Sequence, residues 1–297
     1  MTVPPSAHPA ASGACAVAAA ASADPVAPVG KAQAEESVAI FQRSWQTYQK
    51  LLEVDFLEHN LLYQAVQQHL LSLAAAAAGP GDGSYASAGG LRLVDLGCGD
   101  ALQLARTLQR CGCPGCRSPG SGVPLASYTG VDVSAPALAL AARHLAFLQP
   151  TCEVSLVEQD MDAFVRGCPA GSFDVAFASF AVHHLSTLEA KQAFLSQVAR
   201  CLEPGGAFLL VDVFRKEGED RGQYMQRYQG NMDEAVDKGI IEPGEAATVM
   251  EHILNFDYPE QLSAYQQAAA AAGFAAAECA ATDSKQFGRC LVLRKAL

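Results

Sequence analysis

The chain has 297 residues, and half of them are hydrophobic, which is enough to bury the core of one α/β domain with additions. Its formal net charge of −11 disfavours a polyanionic partner, so no nucleic acid is predicted to bind. No apolar stretch is as long as a membrane-spanning helix, so no membrane partner is predicted either.

The N-terminal segment, residues 1–35, is rich in alanine, proline and serine, contains no arginine, and has Lys31 as its first lysine. That composition predicts a disordered tail. The segment lacks the positive start and the compact apolar core of a secretory signal. A plastid or other organellar transit peptide is the alternative, which the serines favour and the missing arginines oppose.

The ten cysteines are scattered along the chain, which favours free thiols in a reducing compartment and predicts a cytoplasmic location. Cys111, Cys113 and Cys116 lie together in the segment 111–122, which is rich in glycine, proline and serine. A closed zinc site needs four ligands, and no fourth ligand is evident nearby. A flexible loop is therefore predicted there, and no metal site is predicted in the chain.

Ahead of the main fold, apolar residues at helical spacing predict two amphipathic helices within residues 36–78, which end at Gly79-Pro80-Gly81. Strands then alternate with helices. The predicted strands are 91–96, 126–133, 154–157, 173–180 and 207–213, and the predicted helices are 101–110, 136–148 and 188–202.

This alternation predicts a doubly wound, Rossmann-like α/β fold, with a parallel sheet and helices on both faces. Residues 91–214 would form its core, within a single domain over 36–297. Residues 217–257 are predicted to be a helical insertion after the fifth strand. A helix over 259–272 and strands over 275–281 and 287–294 follow.

A glycine turn closes the first strand, in the run Asp95-Leu96-Gly97-Cys98-Gly99. Glycines let the backbone approach a ligand closely, and a helix N-terminus follows with free N–H groups. A dinucleotide site would need a third glycine where Leu102 stands, which weakens the prediction of an NAD-type oxidoreductase.

Two later strands also end in acidic residues. The carboxylate of Asp132 is suited to accept the hydroxyls of a ribose. Asp160 and its apolar neighbour Met161 suit the amino group and the face of an adenine. Each aspartate alone is more often a solvated turn residue, but three successive strand ends with these groups predict a nucleoside-type cofactor.

Over roughly residues 90–297 the chain resembles the class I S-adenosylmethionine-dependent methyltransferases. The resemblance rests on the glycine turn, on Asp132, on Asp160 with Met161, on the strand 173–179 and on the turn 202–206. It implies a seven-stranded sheet whose last strand is antiparallel beside the fifth. The sequence departs from the family at Ala101, where many members carry glycine, and in the segment 111–122.

The resemblance implies S-adenosylmethionine as cofactor and a small molecule as methyl acceptor. A catalytically silent cofactor-binding protein stays an alternative function. The residues predicted to bind the cofactor are Asp95, Gly97, Gly99, Asp132, Val133, Asp160, Met161 and Ser179.

The methyl group of the cofactor is expected near the end of the fourth strand, where His183 and His184 stand. An imidazole there would suit a general base that removes the acceptor's proton. Only one of two adjacent rings should enter the pocket, and His184 is preferred because alternation places it with the buried Val182. The alternative is that both are structural and that positioning alone drives transfer.

Asp212 ends the fifth strand on the ligand side of the sheet. Arg221, Tyr224 and Tyr228 follow at i, i+3 and i+7, the spacing of one helix face. Together these four residues are predicted to bind the acceptor, with the helix as a lid. An ordinary packed helix is the alternative interpretation.

Overall fold

The structure is a computed structural model that describes residues 46–78, 90–109, 123–149 and 151–297. The predicted N-terminal tail, its transit-peptide alternative and the segment 111–122 with its three cysteines lie outside the described residues. A helical stretch at 46–53 precedes the first complete helix. Within the described ranges, no helix has both the length and the apolar composition that crossing a bilayer requires.

Eight strands belong to the sheet in the described part of the chain. They are β1 (Leu91–Leu96), β2 (Leu125–Asp132), β3 (Glu153–Glu158), β4 (Phe173–Ser179), β5 (Leu202–Arg215), β6 (Glu260–Gln261), β7 (Phe274–Thr282) and β8 (Gly288–Lys295).

Helices connect these strands. They are α1 (His59–Ala78), α2 (Leu102–Gln109), α3 (Ala135–His144), α4 (Met161–Gly167), α5 (Leu188–Cys201), α6 (Arg221–Asp237), α7 (Pro243–Phe256) and α8 (Leu262–Ala271), with short 3-10 turns at Ala146–Leu148 and Val182–His184.

The strand order is β3-β2-β1-β4-β5-β8-β7, and the two-residue β6 pairs with the end of β5. Strands β1 to β5 pair in parallel, whereas β8 is antiparallel to both β5 and β7. The order runs outward in opposite directions from β1 and β4, so the point of reversal lies between them. In such sheets ligands bind beyond the carboxyl ends of the strands at that point.

The sheet is buried on both faces, as the apolar composition of its central strands predicts. Along β5, Ala207, Leu209 and Val211 pack with α1, α2 and α3, whereas Phe208 and Leu210 pack with α5 and α8. This alternation follows from the period of two in a strand.

A third apolar cluster lies beyond the end of β5 and joins α6 and α7 to the helical stretch at 46–53. Helix α6 begins with a capping box, in which the side chains of Asp220 and Gln223 each accept a hydrogen bond from the other's backbone N–H. The two helices occupy the predicted insertion and cover the carboxyl ends of the strands.

Two predicted helices have different bounds in the structure. The helix predicted over 136–148 is interrupted, because the backbone of Leu145, with φ −94° and ψ 0°, ends α3 and a 3-10 turn follows. The helix predicted from residue 259 begins only at Leu262. Glu260 pairs in β6 with β5 instead, where its carboxylate binds Arg215 at 2.6 Å.

Candidate cofactor and acceptor site

The glycine loop, residues 97–101, leaves β1 at the point where the strand order reverses. Gly97 has a φ of +74°, and a Cβ atom there would lie 2.6 Å from the Cβ of Ala181. Both the left-handed backbone and the close approach therefore require glycine. That approach joins the loop to the segment that follows β4.

Ala101 also has a left-handed backbone, with a φ of +54°. A non-glycine residue pays roughly 1–2 kcal/mol in this region, because its Cβ crowds the carbonyl oxygen. Ala101 is buried, and its carbonyl accepts the N–H of Ala105 at 2.8 Å in the first turn of α2. The departure from glycine noted in the sequence therefore falls on a strained position of the loop.

Asp132 is fixed against the glycine loop by the backbone. Its Oδ2 accepts the N–H of Gly99 at 2.8 Å, and its Oδ1 accepts the N–H of Ser134 at 2.8 Å. Burial raises the pKa of Asp132, and these two bonds oppose the increase. A carboxylate oxygen accepts more than one hydrogen bond, so the oriented group keeps acceptor capacity for a ligand. Val133 beside it is 42% exposed, an apolar side chain at the rim.

Asp95 is 2% exposed, and its Oδ2 accepts the hydroxyl proton of Tyr128 at 2.7 Å. Burial raises the pKa of Asp95 to about 7; the Tyr128 hydroxyl lowers it, and the nearby Asp132 adds to the increase. No lysine or arginine among the described residues pairs with this carboxylate. A buried acid without a cation is a group that an ammonium ligand would stabilise.

Asp160 and Met161 stand where β3 ends. Asp160 is exposed and caps α4, because its Oδ1 accepts the N–H of Ala163 at 2.9 Å. The sulfur of Met161 lies 3.9 Å from the position that a Cβ of Gly97 would take. Met161 therefore faces the glycine loop, and Asp160 lies farther out.

The segment after β4 is tied down on several sides. Ser179 Oγ lies 2.6 Å from the hydroxyl of Tyr63 on α1. Phe180 has a φ of +51°, a strained value for an aromatic residue, and its N–H donates to the carbonyl of Val211 at 2.8 Å. Strain of this kind clusters at functional sites.

His183 and His184 follow in a 3-10 turn and belong to a group of five side chains, here named the acid–histidine cluster. Its members are His183, His184, Asp212, His252 and Asp257.

Within this cluster, His183 is buried between two carboxylates. Its Nδ1–H donates to Asp212 at 2.5 Å, and its Nε2 lies 3.4 Å from Asp257 Oδ1. Burial alone would lower the pKa of His183, but these carboxylates reverse the effect and raise it to about 10. The backbone N–H of His183 also donates to Asp212, at 2.9 Å.

His184 has the more open position, with 34% of its side chain exposed. Its Nδ1–H donates to the carbonyl of Phe256 at 3.1 Å. Burial, followed by the neighbouring His183, lowers the pKa of His184 to about 4. The two adjacent rings differ in exposure, but both lie beside Asp257. The alternation that grouped His184 with buried Val182 was wrong, because the chain forms a 3-10 turn over Val182–His184 and His183 is the buried ring. The base role assigned to His184 stays a prediction.

The predicted lid residues differ in what they contact. The guanidinium of Arg221 donates to the carbonyls of Asp257 and Leu254 at 3.0 and 2.6 Å, so it binds the end of α7. Tyr224 and Tyr228 are 0% and 4% exposed and pack against each other in the third apolar cluster. Asp212 is fully buried and contacts His183. Of the four, Asp212 is itself a member of the acid–histidine cluster, and Arg221 reaches the cluster through the backbone carbonyl of Asp257.

Sequence reasoning gave little weight to Asp257 and none to Lys191 or Tyr63. Lys191 on α5 is fully buried, and its ammonium donates to the carbonyl of Leu185, directly after the histidine pair. A signal for it existed, because a lysine interrupts the apolar stripe formed by Leu188, Leu195 and Val198. No comparable signal marked Tyr63.

Comparisons with known proteins show which protein family, relatives and solved structures the chain resembles. Residues 94–208 match a family model described as a methyltransferase domain. The chain is 31% identical over 100 residues to a lovastatin diketide synthase of Aspergillus terreus, a match that covers 34% of this chain and 4% of that protein. It is 25% identical over 153 residues to a hybrid PKS-NRPS synthetase of Penicillium oxalicum, covering 52% of this chain and 3% of that protein.

The chain thus spans only a small part of the length of these curated relatives. Among solved structures, human N-acetylserotonin methyltransferase in complex with SAM superposes with a TM-score of 0.51 at 16% identity. The superposition covers 91% of this chain and 61% of that one. At this identity the similarity concerns the fold alone.

Proposed function

We propose that this chain is a class I S-adenosylmethionine-dependent methyltransferase that transfers a methyl group to a small-molecule acceptor; the match of residues 94–208 to a methyltransferase domain model and the fold support this. The observation that carries the proposal is the contact between Gly97 and Ala181. It brings the predicted cofactor loop against the segment that holds the histidine pair. Donor and acceptor sites would therefore adjoin, as direct transfer between two bound molecules requires.

The residues around the glycine loop fit the proposed cofactor. Its amino acid end would lie at Gly97 and Gly99, where the buried carboxylate of Asp95 offers a partner for an ammonium group. Asp132 would accept the ribose hydroxyls, with Val133 at the rim. Asp160, Met161 and Ser179 complete the predicted cofactor contacts. When bound, S-adenosylmethionine supplies a methyl group on a sulfonium, which is already a good leaving group.

The acceptor would bind on the other side of Ala181, under α6 and α7. There the acid–histidine cluster lies at the carboxyl ends of β4 and β5. His183 and His184 are the proposed catalytic residues, because they are the ones nearest the contact with Gly97. Asp212 fixes His183, and Arg221 holds the end of α7 that carries Asp257. Tyr224 and Tyr228 would shape the pocket from within the apolar cluster.

A small-molecule acceptor is favoured over nucleic acid by the net charge of −11. The two curated relatives are named as a diketide synthase and a hybrid PKS-NRPS synthetase. Those names favour an acceptor of the polyketide kind. A cytoplasmic location stays part of the proposal.

Two experiments test the proposal. Calorimetry is expected to show binding of S-adenosylhomocysteine and no binding of NAD; the reverse result would overturn it. Incubation with cofactor labelled in the methyl group and a cell extract is expected to give a labelled small molecule, identified by mass spectrometry. Label only in nucleic acid would contradict the acceptor class.

A further inference from the structure

The acid–histidine cluster has a geometry that hydrogen bonding among its own members does not explain. Asp257 Oδ1 is buried and has no hydrogen-bond partner among the described residues. Three imidazole nitrogens surround it at longer range: His183 Nε2 at 3.4 Å, His184 Nδ1 at 3.7 Å and His252 Nε2 at 3.8 Å. Each of these separations exceeds a normal hydrogen bond.

The separation between His183 Nε2 and Asp257 Oδ1 is that of two ligands around a common cation. Zinc binds imidazole nitrogen and carboxylate oxygen at about 2.0–2.1 Å, which places two ligands of a tetrahedral site about 3.4 Å apart. One ligand atom each from His183, His184 and Asp257 lies within 4.8 Å of the other two. The three side chains therefore lie close enough together to share one ion.

The outer contacts of the histidines also suit ligation. A histidine that binds a metal usually donates its other ring N–H to a carboxylate or a backbone carbonyl, which fixes the ring. His183 does so to Asp212, and its Nε2 then faces Asp257. The Nδ1–H of His184 donates to the carbonyl of Phe256, so its Nε2 is the nitrogen that would bind an ion. Both rings are thus held with one nitrogen engaged.

The buried carboxylates of the cluster also favour a bound cation. The side chain of Asp257 is 7% exposed, and within the described ranges its ion-pair partners are histidines alone. Asp212 is fully buried beside it. A buried carboxylate is costly unless it is paired or coordinates a metal. His184 is partly exposed, which gives an ion a route of entry.

We infer that His183, His184 and Asp257 form a binding site for one divalent transition-metal ion of the zinc class. Two histidines and one carboxylate leave at least one coordination position open, as in catalytic zinc sites. The cluster lies near the carboxyl ends of β4 and β5, where the acceptor is proposed to bind, so a bound ion would be placed to take an oxygen of the acceptor. That last step rests on the proposed function, whereas metal binding itself does not.

Metal binding is tested on the full chain without methyl donor, after chelation and dialysis. Zn²⁺ titration by calorimetry is expected to show one site per chain. Co²⁺ is expected to give the intense visible absorption of low coordination, without a near-ultraviolet thiolate band. A thiolate band would place the ion on cysteine and overturn the inference, as would the absence of any Zn²⁺ binding.

Variants assign the ligands. Asp257→Asn and His184→Gln are each expected to weaken Zn²⁺ affinity at least a hundredfold, and Asp212→Asn by about tenfold, the effect of losing an outer contact. The control is His69→Asn, because the Nδ1–H of His69 donates to a carbonyl in its own helix. It is expected to bind like the unaltered chain. Because His184 is the more exposed ligand, H184Q keeps the test valid if D257N does not fold.

The role of the ion is separate from its binding. If chelation abolishes methyl transfer and Zn²⁺ restores it, the ion acts at the acceptor. If Zn²⁺ binds as predicted but the chain methylates nothing, the site stands and the proposed function fails. Equal Zn²⁺ affinity in D257N, H184Q and the unaltered chain refutes the site.

Discussion

Replacing Asp95 by asparagine is expected to change the stability of the fold and the binding of the cofactor in opposite directions at pH 8. Burial raises the pKa of Asp95 to about 7 from an ordinary value of 3.8. The folded state thus binds the proton more tightly than the unfolded state. The stability that this proton contributes is present below pH 3.8 and is lost as the pH rises towards 7, the opposite of the usual aspartate.

The size of the effect follows from the shift. One unit of pKa difference corresponds to about 1.4 kcal/mol. Between pH 5 and pH 8 the unaltered chain should therefore lose about 3 kcal/mol from this group, most of it below pH 7. Asparagine carries no charge and keeps an acceptor for Tyr128. The stability of D95N should not change with this titration. The free energy of unfolding of D95N relative to the unaltered chain should therefore increase by about 3 kcal/mol between pH 5 and pH 8.

Urea unfolding monitored by circular dichroism measures the difference in unfolding free energy between D95N and the unaltered chain at pH 5 and at pH 8. Tyr128→Phe is the matched control: without the hydroxyl that lowers the pKa of Asp95, stability at pH 8 should fall. Binding of S-adenosylhomocysteine to D95N should weaken about tenfold or more, since the proposed ammonium partner is lost. A D95N advantage that is the same at both pH values would refute the reasoning, because Asp95 would then be ionised throughout.

Three further predictions concern the same site. Gly97→Ala should destabilise the fold by about 1–3 kcal/mol in urea unfolding and abolish cofactor binding in calorimetry. Gly99→Ala, with nothing within 4 Å of the new Cβ, should cost only about 1 kcal/mol. Equal effects of the two variants would contradict the close approach of Gly97 to Ala181. Asp132→Ala should weaken S-adenosylhomocysteine binding by roughly 1–3 kcal/mol in calorimetry, and an unchanged affinity in the folded variant would rule out the ribose role. His184→Ala should reduce methyl transfer about a hundredfold or more with cofactor affinity intact, and by more than His183→Ala does. H183A should instead lower stability by about 1–3 kcal/mol, because buried Asp212 loses a donor. Small and equal rate effects of the two variants would show that positioning alone drives transfer.

The proposed cofactor half of the site could be located from the sequence because its signals are local. A strand that ends in a glycine turn, and an acid at the end of the next strand, are each written in a few consecutive residues. Gly97, Gly99 and Asp132 therefore emerged with their approximate surroundings. The close approach of Gly97 to Ala181 could not be predicted, because Ala181 lies in the segment after β4, far away in the sequence, and an alanine gives no sequence signal.

The acceptor half depends on contacts between segments far apart in the chain. Asp257 lies at the end of α7, in the insertion, and no spacing relates it to His183 or His184. Its importance comes from packing, which brings the end of one helix against the turn after β4. Likewise, the pairing of Glu260 with the end of β5 overrode the helical pattern that begins at residue 259.

The position of β8 has a consequence for how the chain is made. β8 is the last strand in sequence, yet it lies between β5 and β7. Until residues 288–295 leave the ribosome, β5 has an open edge, and its residues Phe208, Leu209, Leu210 and Val211 are all apolar. An unpaired apolar edge invites pairing with another chain. A nascent or truncated chain that lacks β8 is therefore expected to aggregate at β5, and expression of such fragments should depend on chaperones.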